Sequence, residues 1–314
     1  HYNEDKKDVN LTFSFNEFKL AIRELNGNPY LYKDKNLLKE FKIVKNPLTR
    51  WLADPFVVEI NGHHYIFAES ASRITGKGKL VYCEINEKKI NKCHWKTCLS
   101  TKYHLSFPNV KQVNGKIEMI PETYQDNCIA SYVLMKEKGD FHWVKNNEIV
   151  SDVSCVDTVR LNEGYITYDI SSNIFKLKLI SKEGDELDCL GDTDMVLRPA
   201  GKVFLYNKKN ILVTQNCKTI YGEGLIFNEL DLTDDKKMKL SPFYTINYKD
   251  LNSIFNVNFY VGIHTYNFDS RYEIIDVRVK KFNFLGLLGK IFDKIKLGLN
   301  NKEGLDGKKR EQKL

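Results

Sequence analysis

The sequence predicts an all-β fold, a five-bladed β-propeller that is followed by a short C-terminal amphipathic helix. Two observations lead to this fold class. A unit of two β-rich runs joined by a turn recurs along the chain, and its copies begin roughly 45 to 55 residues apart, which is the length of one four-stranded blade. Helical periodicity is scarce until the C-terminal end of the chain.

Four copies of the repeated unit are clear. The first, at 55–69, reads PFVVEINGHHYIFAE, and the second, at 108–122, reads PNVKQVNGKIEMIPE. The third and fourth copies occupy 157–169 and 200–216. In the first two copies the turn is Asn-Gly, which supplies the positive φ values that a two-residue hairpin requires. We interpret each copy as a β-hairpin that forms two of the four strands of a blade.

The remaining strands complete the ring. A further β-rich run follows each hairpin at the position of a third blade strand, at 79–85, 129–135, 174–180 and 225–230. A divergent hairpin at 261–276 raises the blade count to five. Residues 18–24 alternate apolar and polar side chains and are predicted to close the ring against the last blade. The predicted domains are a polar linker at 1–16 and the propeller at 17–281.

The C-terminal segment has a different character. Residues 282–299 read FNFLGLLGKIFDKIKLGL, with apolar positions at helical spacing and lysines elsewhere on the helical wheel. Such a helix lies either in a membrane interface or against the propeller or a partner. Residues 300–314 are charged, and we expect a disordered tail there.

Composition restricts the cellular setting. The chain has 314 residues, 42% of them hydrophobic, and a formal net charge of +7. It contains no apolar run long enough to span a bilayer and no signal peptide. Its seven cysteines show no metal-ligand pairing and are interpreted as free thiols. We therefore expect a cytoplasmic protein with peripheral contact to the inner face of the membrane through 282–299. Because the first residue is His1 rather than Met, we expect an upstream domain to be missing.

Several function classes have no support in the sequence. There is no P-loop, no dinucleotide-binding glycine fingerprint and no nucleophile elbow. Basic residues are not concentrated in an aromatic-rich patch, so no nucleic-acid partner is predicted. No cofactor and no metal site is predicted from ligand spacing. His264 is the one candidate ligand for an ion in the central channel, the alternative being a hydrogen-bonding role.

The repeat predicts where a site would lie. In a propeller the first strand of each blade lines the central channel, so the openings of all repeats converge. Carboxylates that meet there acquire different pKa values, so that one acts as a proton donor and another as a base. The structural alternative is that Asp caps a turn and Glu bonds adjacent backbone. The converging residues are Asp54, 106–109, Asp157, Arg198, Gly201 and His264, with Glu69, Glu122, Asp169, Gln215 and Asn216 at the ends of the second strands.

A family resemblance adds to this prediction. The segment 51–56, WLADPF, followed by 65–69, YIFAE, resembles the first blade of five-bladed carbohydrate-active propellers, the fold of family-43 and family-32 glycoside hydrolases. More closely, the chain resembles the N-terminal domain of glucosamine inositolphosphorylceramide transferases and its relatives in bacterial polysaccharide loci. The further matching motifs are 106–109 with 120–123, 198–201 with 215–217 and 221–222, and 262–265 with 275–276.

The resemblance implies roles for individual residues. Asp54 corresponds to the base or nucleophile, Glu122 is the candidate acid and Asp157 the candidate residue that orients and tunes the pair. The chain departs from the family pattern where Thr follows Asp157 and Val follows Asp276. The residues expected to bind substrate are Trp51, Glu69, Phe107, Asn109, Arg198, Gln215, Asn216, Tyr221 and His264.

Three functions are consistent with these features. The favoured one is a glycosyltransferase of bacterial capsule or lipopolysaccharide biosynthesis, which would use a sugar donor and a saccharide or glycolipid acceptor. The second is a glycoside hydrolase of the family-43 or family-32 type, and the third is a non-catalytic saccharide-binding propeller.

Overall fold

The predicted five-bladed β-propeller is confirmed. The computed structural model describes residues 14–27, 30–113, 115–171, 175–192 and 196–282, which form five four-stranded antiparallel sheets. Each sheet is one blade, and the blades surround a central channel. The first four blades are each built from consecutive strands, and the fifth blade combines strands from both ends of the described chain.

Numbered along the chain, the first two strands are β1 (Ser14–Glu24) and β2 (Lys42–Ile43). Blade I contains β3 (Arg50–Ile60), β4 (His63–Ser72), β5 (Gly78–Glu84) and β6 (Lys96–Leu99). Blade II contains β7 (Ser106–Val113), β8 (Lys116–Glu122), β9 (Cys128–Glu137) and β10 (Asp140–Ser151). Blade III contains β11 (Cys155–Arg160), β12 (Tyr165–Asp169), β13 (Lys176–Ile180) and β14 (Glu186–Gly191).

Blade IV contains β15 (Phe204–Tyr206), β16 (Lys209–Asn216), β17 (Gly224–Leu232) and β18 (Met238–Asn247). Blade V consists of β19 (Tyr260–Phe268) and β20 (Tyr272–Phe282) together with β1 and β2. The predicted hairpins and third strands coincide with observed strands to within two residues, except that the fourth hairpin, predicted from 200, begins only at Phe204.

The N-terminal strand closes the ring, as predicted. Strand β1 pairs with β20 along its whole length, from Ser14 opposite Phe282 to Glu24 opposite Tyr272. The pairing continues to Ser14, so the assignment of 14–16 to the linker was wrong, because ladder hydrogen bonds hold these residues in the sheet. Residues 1–13 of the predicted linker lie outside the described residues.

A buried ion pair reinforces this closure. Arg23 on β1 donates from Nε to Oε2 of Glu273 on β20 at 2.5 Å, and both side chains are fully buried. Glu273 also accepts hydrogen bonds from the Leu31 backbone, at 2.9 Å, and from the Tyr266 hydroxyl. The guanidinium of Arg23 reaches Glu40 at 2.9 Å. This network fixes β1, the segment that follows it and both remaining long strands of blade V in one arrangement.

The inner strands share a local irregularity near their starts. Register shifts interrupt β3 after Ala53, β7 after Ser106, β11 after Val156 and β19 after Ile263. Asp54, Phe107 and Asp157 follow directly with φ values of 49°, 44° and 49°. Such bulges bend a strand and redirect its side chains, and non-glycine residues rarely adopt positive φ. The bulges therefore determine which groups face the mouth of the channel, which we call the funnel.

One α-helix within the described residues was not predicted. It is α1 (Tyr248–Phe255), and its capping box is formed by Asn247 and Asp250. The predicted helix at 282–299 and the charged tail at 300–314 lie outside the described residues, apart from Phe282, which ends β20. None of the helices in the described part of the chain is long and apolar enough to cross a membrane.

The substitution Arg23→Met tests the closure. It leaves the Glu273 carboxylate buried without its cation, which typically costs about 3–5 kcal/mol of folding free energy. Urea unfolding at neutral pH measures the loss, with Lys249→Met on the exposed side of α1 as the control. A loss no larger than that of the control would show that the ion pair does not hold the ring closed.

Candidate functional site

Asp54 is held at the funnel by groups from three other strands. Its Oδ1 accepts a hydrogen bond from the Thr265 hydroxyl on β19 at 3.0 Å, and its Oδ2 accepts one from the Phe107 backbone on β7 at 3.2 Å. Its own backbone N–H donates to Oδ2 of Asp276 on β20 at 3.0 Å. The carboxyl group is therefore fixed in one orientation, with both oxygens in contact with donors.

Asp276 anchors this side of the funnel. It is completely buried, and besides Asp54 it accepts hydrogen bonds from the backbone N–H groups of His264, at 3.2 Å, and Thr265, at 2.9 Å. Its Oδ1 also lies 2.8 Å from Nδ1 of His264. Nε2 of the same imidazole lies 3.7 Å from Oδ1 of Asp54. Asp276 thus joins the bulge of β19 to the bulge of β3.

Aromatic side chains form the wall beside His264. Phe18 of the closing strand β1 stacks on the imidazole, with ring centroids 4.2 Å apart, and Tyr221 meets it edge-on at 5.5 Å. Trp51, at the start of β3, packs against Phe18 at 5.6 Å and remains partly exposed. Tyr221 contacts His264 directly and Trp51 does so through Phe18, and the role of both residues in binding substrate stays a prediction.

A second acidic group lies on blades II and III. Nε of Arg198 donates to Oδ2 of Asp157, and its Nη2 lies 3.4 Å from Oε2 of Glu122. The guanidinium also lies over the ring of Tyr221, 5.6 Å from its centroid. One cation therefore neutralises two of the three residues that the resemblance implied to be catalytic.

Glu69 lies apart from that cation. It ends its hairpin opposite Ala53, the residue before Asp54, and its side chain is 6% exposed. Nε2 of His104 is 3.3 Å from its Oε1, and a methyl group added to Gly78 would come within 2.7 Å of the same oxygen. The absence of a side chain at Gly78 therefore leaves room for this carboxyl group.

The funnel perturbs the pKa values of its carboxyl groups. Burial raises the pKa of Asp157 to about 6, although Arg198 opposes the shift. Burial likewise raises the pKa of Asp54 to about 6, opposed by His264 and assisted by Asp276 and Asp157. Burial alone would lower the pKa of His264, but Asp276 and Asp54 outweigh it and raise that pKa. Ionisable groups with such shifts are common at catalytic sites.

Three of these side chains offer ligand atoms of the type that binds metal ions. Asp54, His264 and Asp276 place one such atom each within 4.8 Å of one another. Nδ1 of His264 and both oxygens of Asp276 already take part in hydrogen bonds. Both oxygens of Asp54 also accept hydrogen bonds, so an ion would contact Nε2 of His264 and share an Asp54 oxygen with its donor, and the role of His264 as a ligand stays a prediction.

Two predicted substrate-binding residues have structural positions instead. The Phe107 ring is completely buried and packs edge-on against Phe56 at 5.1 Å, so only its backbone reaches the site. The amide of Asn109 donates to the carbonyl of Thr158 on the neighbouring blade at 2.9 Å. Both predictions were drawn from motif position, and neither side chain is oriented toward the funnel because packing between blades uses it.

The end of blade IV supports the site indirectly. Gln215 is buried, and its backbone N–H donates to the carbonyl of Arg198 at 2.8 Å, which fixes the segment that carries the guanidinium. Asn216 accepts a hydrogen bond from the Lys218 backbone in a turn.

Asp169, the equivalent residue of blade III, forms an ion pair with Lys178 at 2.8 Å. Gly201 approaches the carbonyl of Tyr266 closely and contributes no side chain.

Three residues of the site were not assigned roles from the sequence. They are Phe18, Thr265 and Asp276, which all belong to blade V. Thr265 and Asp276 belong to the motif formed by 262–265 and 275–276, but the sequence did not indicate what these two residues do. Phe18 carried no signal beyond strand alternation, because its contact with His264 exists only in the closed ring.

Comparison with known proteins confirms the predicted resemblance. Residues 44–188 match the family model described as glucosamine inositolphosphorylceramide transferase 1, N-terminal. Glucosamine inositolphosphorylceramide transferase 1 of Arabidopsis thaliana is 22% identical over 210 residues. The alignment covers 61% of this chain and 27% of the plant protein, so the chain spans about a quarter of that relative's length.

Solved structures are similar in fold. A GH43_1 enzyme from Xanthomonas citri has a TM-score of 0.50 at 10% identity, over 78% of this chain and 92% of its own. The same enzyme complexed with xylose has a TM-score of 0.50 at 10% identity, over 79% and 92% of the two chains. At this identity the likeness is one of architecture alone. The solved structures therefore show that this chain shares the architecture of these enzymes.

The pKa of Asp157 has a consequence for stability. Since this carboxyl group holds its proton more tightly in the folded protein than in the unfolded chain, folding is favoured at low pH, and its contribution is lost as the pH rises from about 4 to 6. We expect Asp157→Asn to remove this dependence, which for a shift of this size amounts to roughly 3 kcal/mol.

The measurement is urea unfolding at a series of pH values for the wild type and the variant. Asp152→Asn, in an exposed turn, is the control. Parallel stability profiles for wild type and Asp157→Asn would contradict the raised pKa, whatever the absolute stabilities of the two proteins.

Proposed function

We propose that the protein is a glycosyltransferase that uses the carboxyl groups of the funnel. The observation that carries the proposal is the contrast between Asp54, which is oriented by hydrogen-bond donors, and the acidic group that surrounds Arg198. Transfer from a glycoside through an oxocarbenium-like transition state uses one carboxylate and one carboxylic acid that flank the scissile bond. The aromatic wall of Trp51 and Tyr221 supplies surfaces on which sugar rings stack.

The family match supports a transferase. Residues 44–188 contain Asp54, Glu69, Glu122 and Asp157, so all four carboxyl groups lie in the matched segment. The name of the plant relative describes a transferase, with glucosamine and inositolphosphorylceramide in that name. By analogy we propose a sugar donor and a saccharide or glycolipid acceptor for this chain, and a role in assembling a surface polysaccharide such as capsule or lipopolysaccharide.

Localisation is part of the same proposal. A glycolipid acceptor would bring the enzyme to the membrane, and the basic apolar segment 282–299 suits peripheral contact with an anionic surface. We therefore propose a cytoplasmic protein that works at the inner face of the membrane.

Glycoside hydrolysis is the second candidate. It is favoured by the fold, which is similar to that of a GH43_1 enzyme, and by the same carboxyl groups, since hydrolysis differs from transfer only in using water as the acceptor. The two reactions are distinguished by the fate of the sugar.

Removal of the Asp54 carboxylate provides the test. We expect Asp54→Asn to lower turnover by about 10²-fold or more while saccharide binding persists, because the base is lost and the shape is kept. Thermal-shift and calorimetric titrations with nucleotide sugars and free oligosaccharides identify the ligand, and mass spectrometry then follows the sugar onto an acceptor or water. Asp234→Asn, in an exposed loop, is the control.

Each outcome selects one function. Sugar found on an acceptor supports the transferase, and sugar released to water in the presence of acceptors supports the hydrolase. Saccharide binding without turnover, which survives loss of both Asp54 and Glu122, would contradict both enzymes and leave the non-catalytic binding propeller.

A further inference from the structure

The assignment of the proton donor depends on which carboxyl group can hold a proton before the reaction. A donor to a leaving oxygen must be protonated in the resting enzyme. Glu122, the acid that the resemblance implied, lies 3.4 Å from the Arg198 guanidinium. The same guanidinium pairs with Asp157, so Glu122 lies in an ion-paired cluster with an oxygen close to a cation, an arrangement that Glu69 does not share.

Glu69 has the opposite surroundings. Its Oε1 is buried and accepts no well-aligned hydrogen bond within the described residues, although Nε2 of His104 lies 3.3 Å away. No lysine or arginine of the described chain lies within ion-pair distance of it, and Arg50, the cation that acts on it electrostatically, donates to Ser70 and to the carbonyl of Lys77. Burial without a cation favours the neutral carboxylic acid.

The other groups that face Glu69 act in the same direction. Asp54 on β3, Glu122 on β8 and Asp276 on β20 all disfavour a further negative charge, and after burial they are the main reasons that the pKa of Glu69 lies well above its usual value. Nδ1 of His104 accepts a hydrogen bond from the Gly78 backbone at 3.0 Å. Burial lowers the pKa of His104, so the imidazole beside Glu69 is neutral, with its proton on Nε2.

We propose that Glu69, rather than Glu122, is the proton donor of the glycosyl transfer. This inference rests on the proposed function. As the bond between the anomeric carbon and the leaving oxygen breaks, the Glu69 carboxyl proton moves to that oxygen and Glu69 becomes a carboxylate. The acceptor hydroxyl attacks the anomeric carbon and its proton moves to Asp54. Asp54 then releases this proton to solvent and Glu69 takes one up from solvent, which restores both groups for the next turnover.

A proton donor at Glu69 also restricts the chemical class of the sugar donor. Protonation is needed when the leaving group is an alkoxide, whereas a nucleoside diphosphate leaves as a stable anion without it. A built-in donor therefore favours a glycoside, with a sugar or alkyl alcohol as its leaving group, over a nucleotide sugar.

Infrared spectroscopy tests the protonation state without an activity assay. At neutral pH we expect the wild type to show a carbonyl band of a protonated carboxyl group that is absent from Glu69→Gln and present in Glu122→Gln. Glu183→Gln, in an exposed turn, is the control and keeps the band. A band that persists in Glu69→Gln, or no band in the wild type, overturns the donor role.

Leaving-group dependence tests the chemical role. Glu69→Gln should lower turnover about 10²-fold or more for glycosides with alkoxide leaving groups and less than about tenfold for nitrophenyl glycosides, which do not need protonation. Equal losses of turnover for the two kinds of glycoside would overturn the assignment. A Glu122→Gln variant that loses turnover only for alkoxide leaving groups would overturn it as well. A wild-type protein without glycosyl transfer would overturn the proposed function and the donor role together, whereas a missing infrared band overturns the donor role alone.

Discussion

The seam between blade V and blade I is the constraint on which the rest of the structure depends. A propeller is a ring of blades, and it is stable only when its last blade is completed. Here β1 completes blade V by pairing with β20, and the buried contact of Arg23 with Glu273 fixes that pairing. The cost of burying these charges is offset only while both partners are present.

The candidate functional site lies at the same seam. Asp276 of blade V accepts the backbone N–H of Asp54 in blade I, and Thr265 donates to the Asp54 carboxylate. Phe18, on the closing strand, stacks on His264. The closed ring and the orientation of Asp54, the candidate base, therefore depend on the same contacts between blade V and blade I. A change that loosens β1 should disturb the site even though β1 carries none of the ionisable groups in the funnel.

Charge is distributed unevenly around the funnel. Asp157 and Glu122 share the only arginine that contacts carboxylates there among the described residues. Asp54 relies on neutral donors and on the imidazole that Asp276 holds, and Glu69 has a neutral imidazole beside it. Similar side chains therefore have different environments, which is the condition under which one site can supply both an acid and a base. The positive φ values at Asp54 and Asp157 show that the backbone accepts strain to place these groups.

The sequence by itself determined the fold class, the hairpins and third strands of the blades and the closing strand, because hairpin turns and two-residue alternation are local signals that repeat. It also located the funnel, since equivalent positions of a repeat must converge on the axis. It missed α1, whose capping residues Asn247 and Asp250 were readable, and it assigned Phe107 and Asn109 to substrate rather than to packing between blades.

Only the tertiary structure decided how the funnel carboxyl groups differ. Glu122 has a cation beside it because Arg198, which is 76 residues away in the sequence, approaches it in the folded ring. Glu69 instead has the imidazole of His104 beside it. Burial and Coulomb interactions act through space and fall off with distance, so they cannot be obtained from the order of residues. The position of each group followed from the repeat, and its protonation followed from its neighbours.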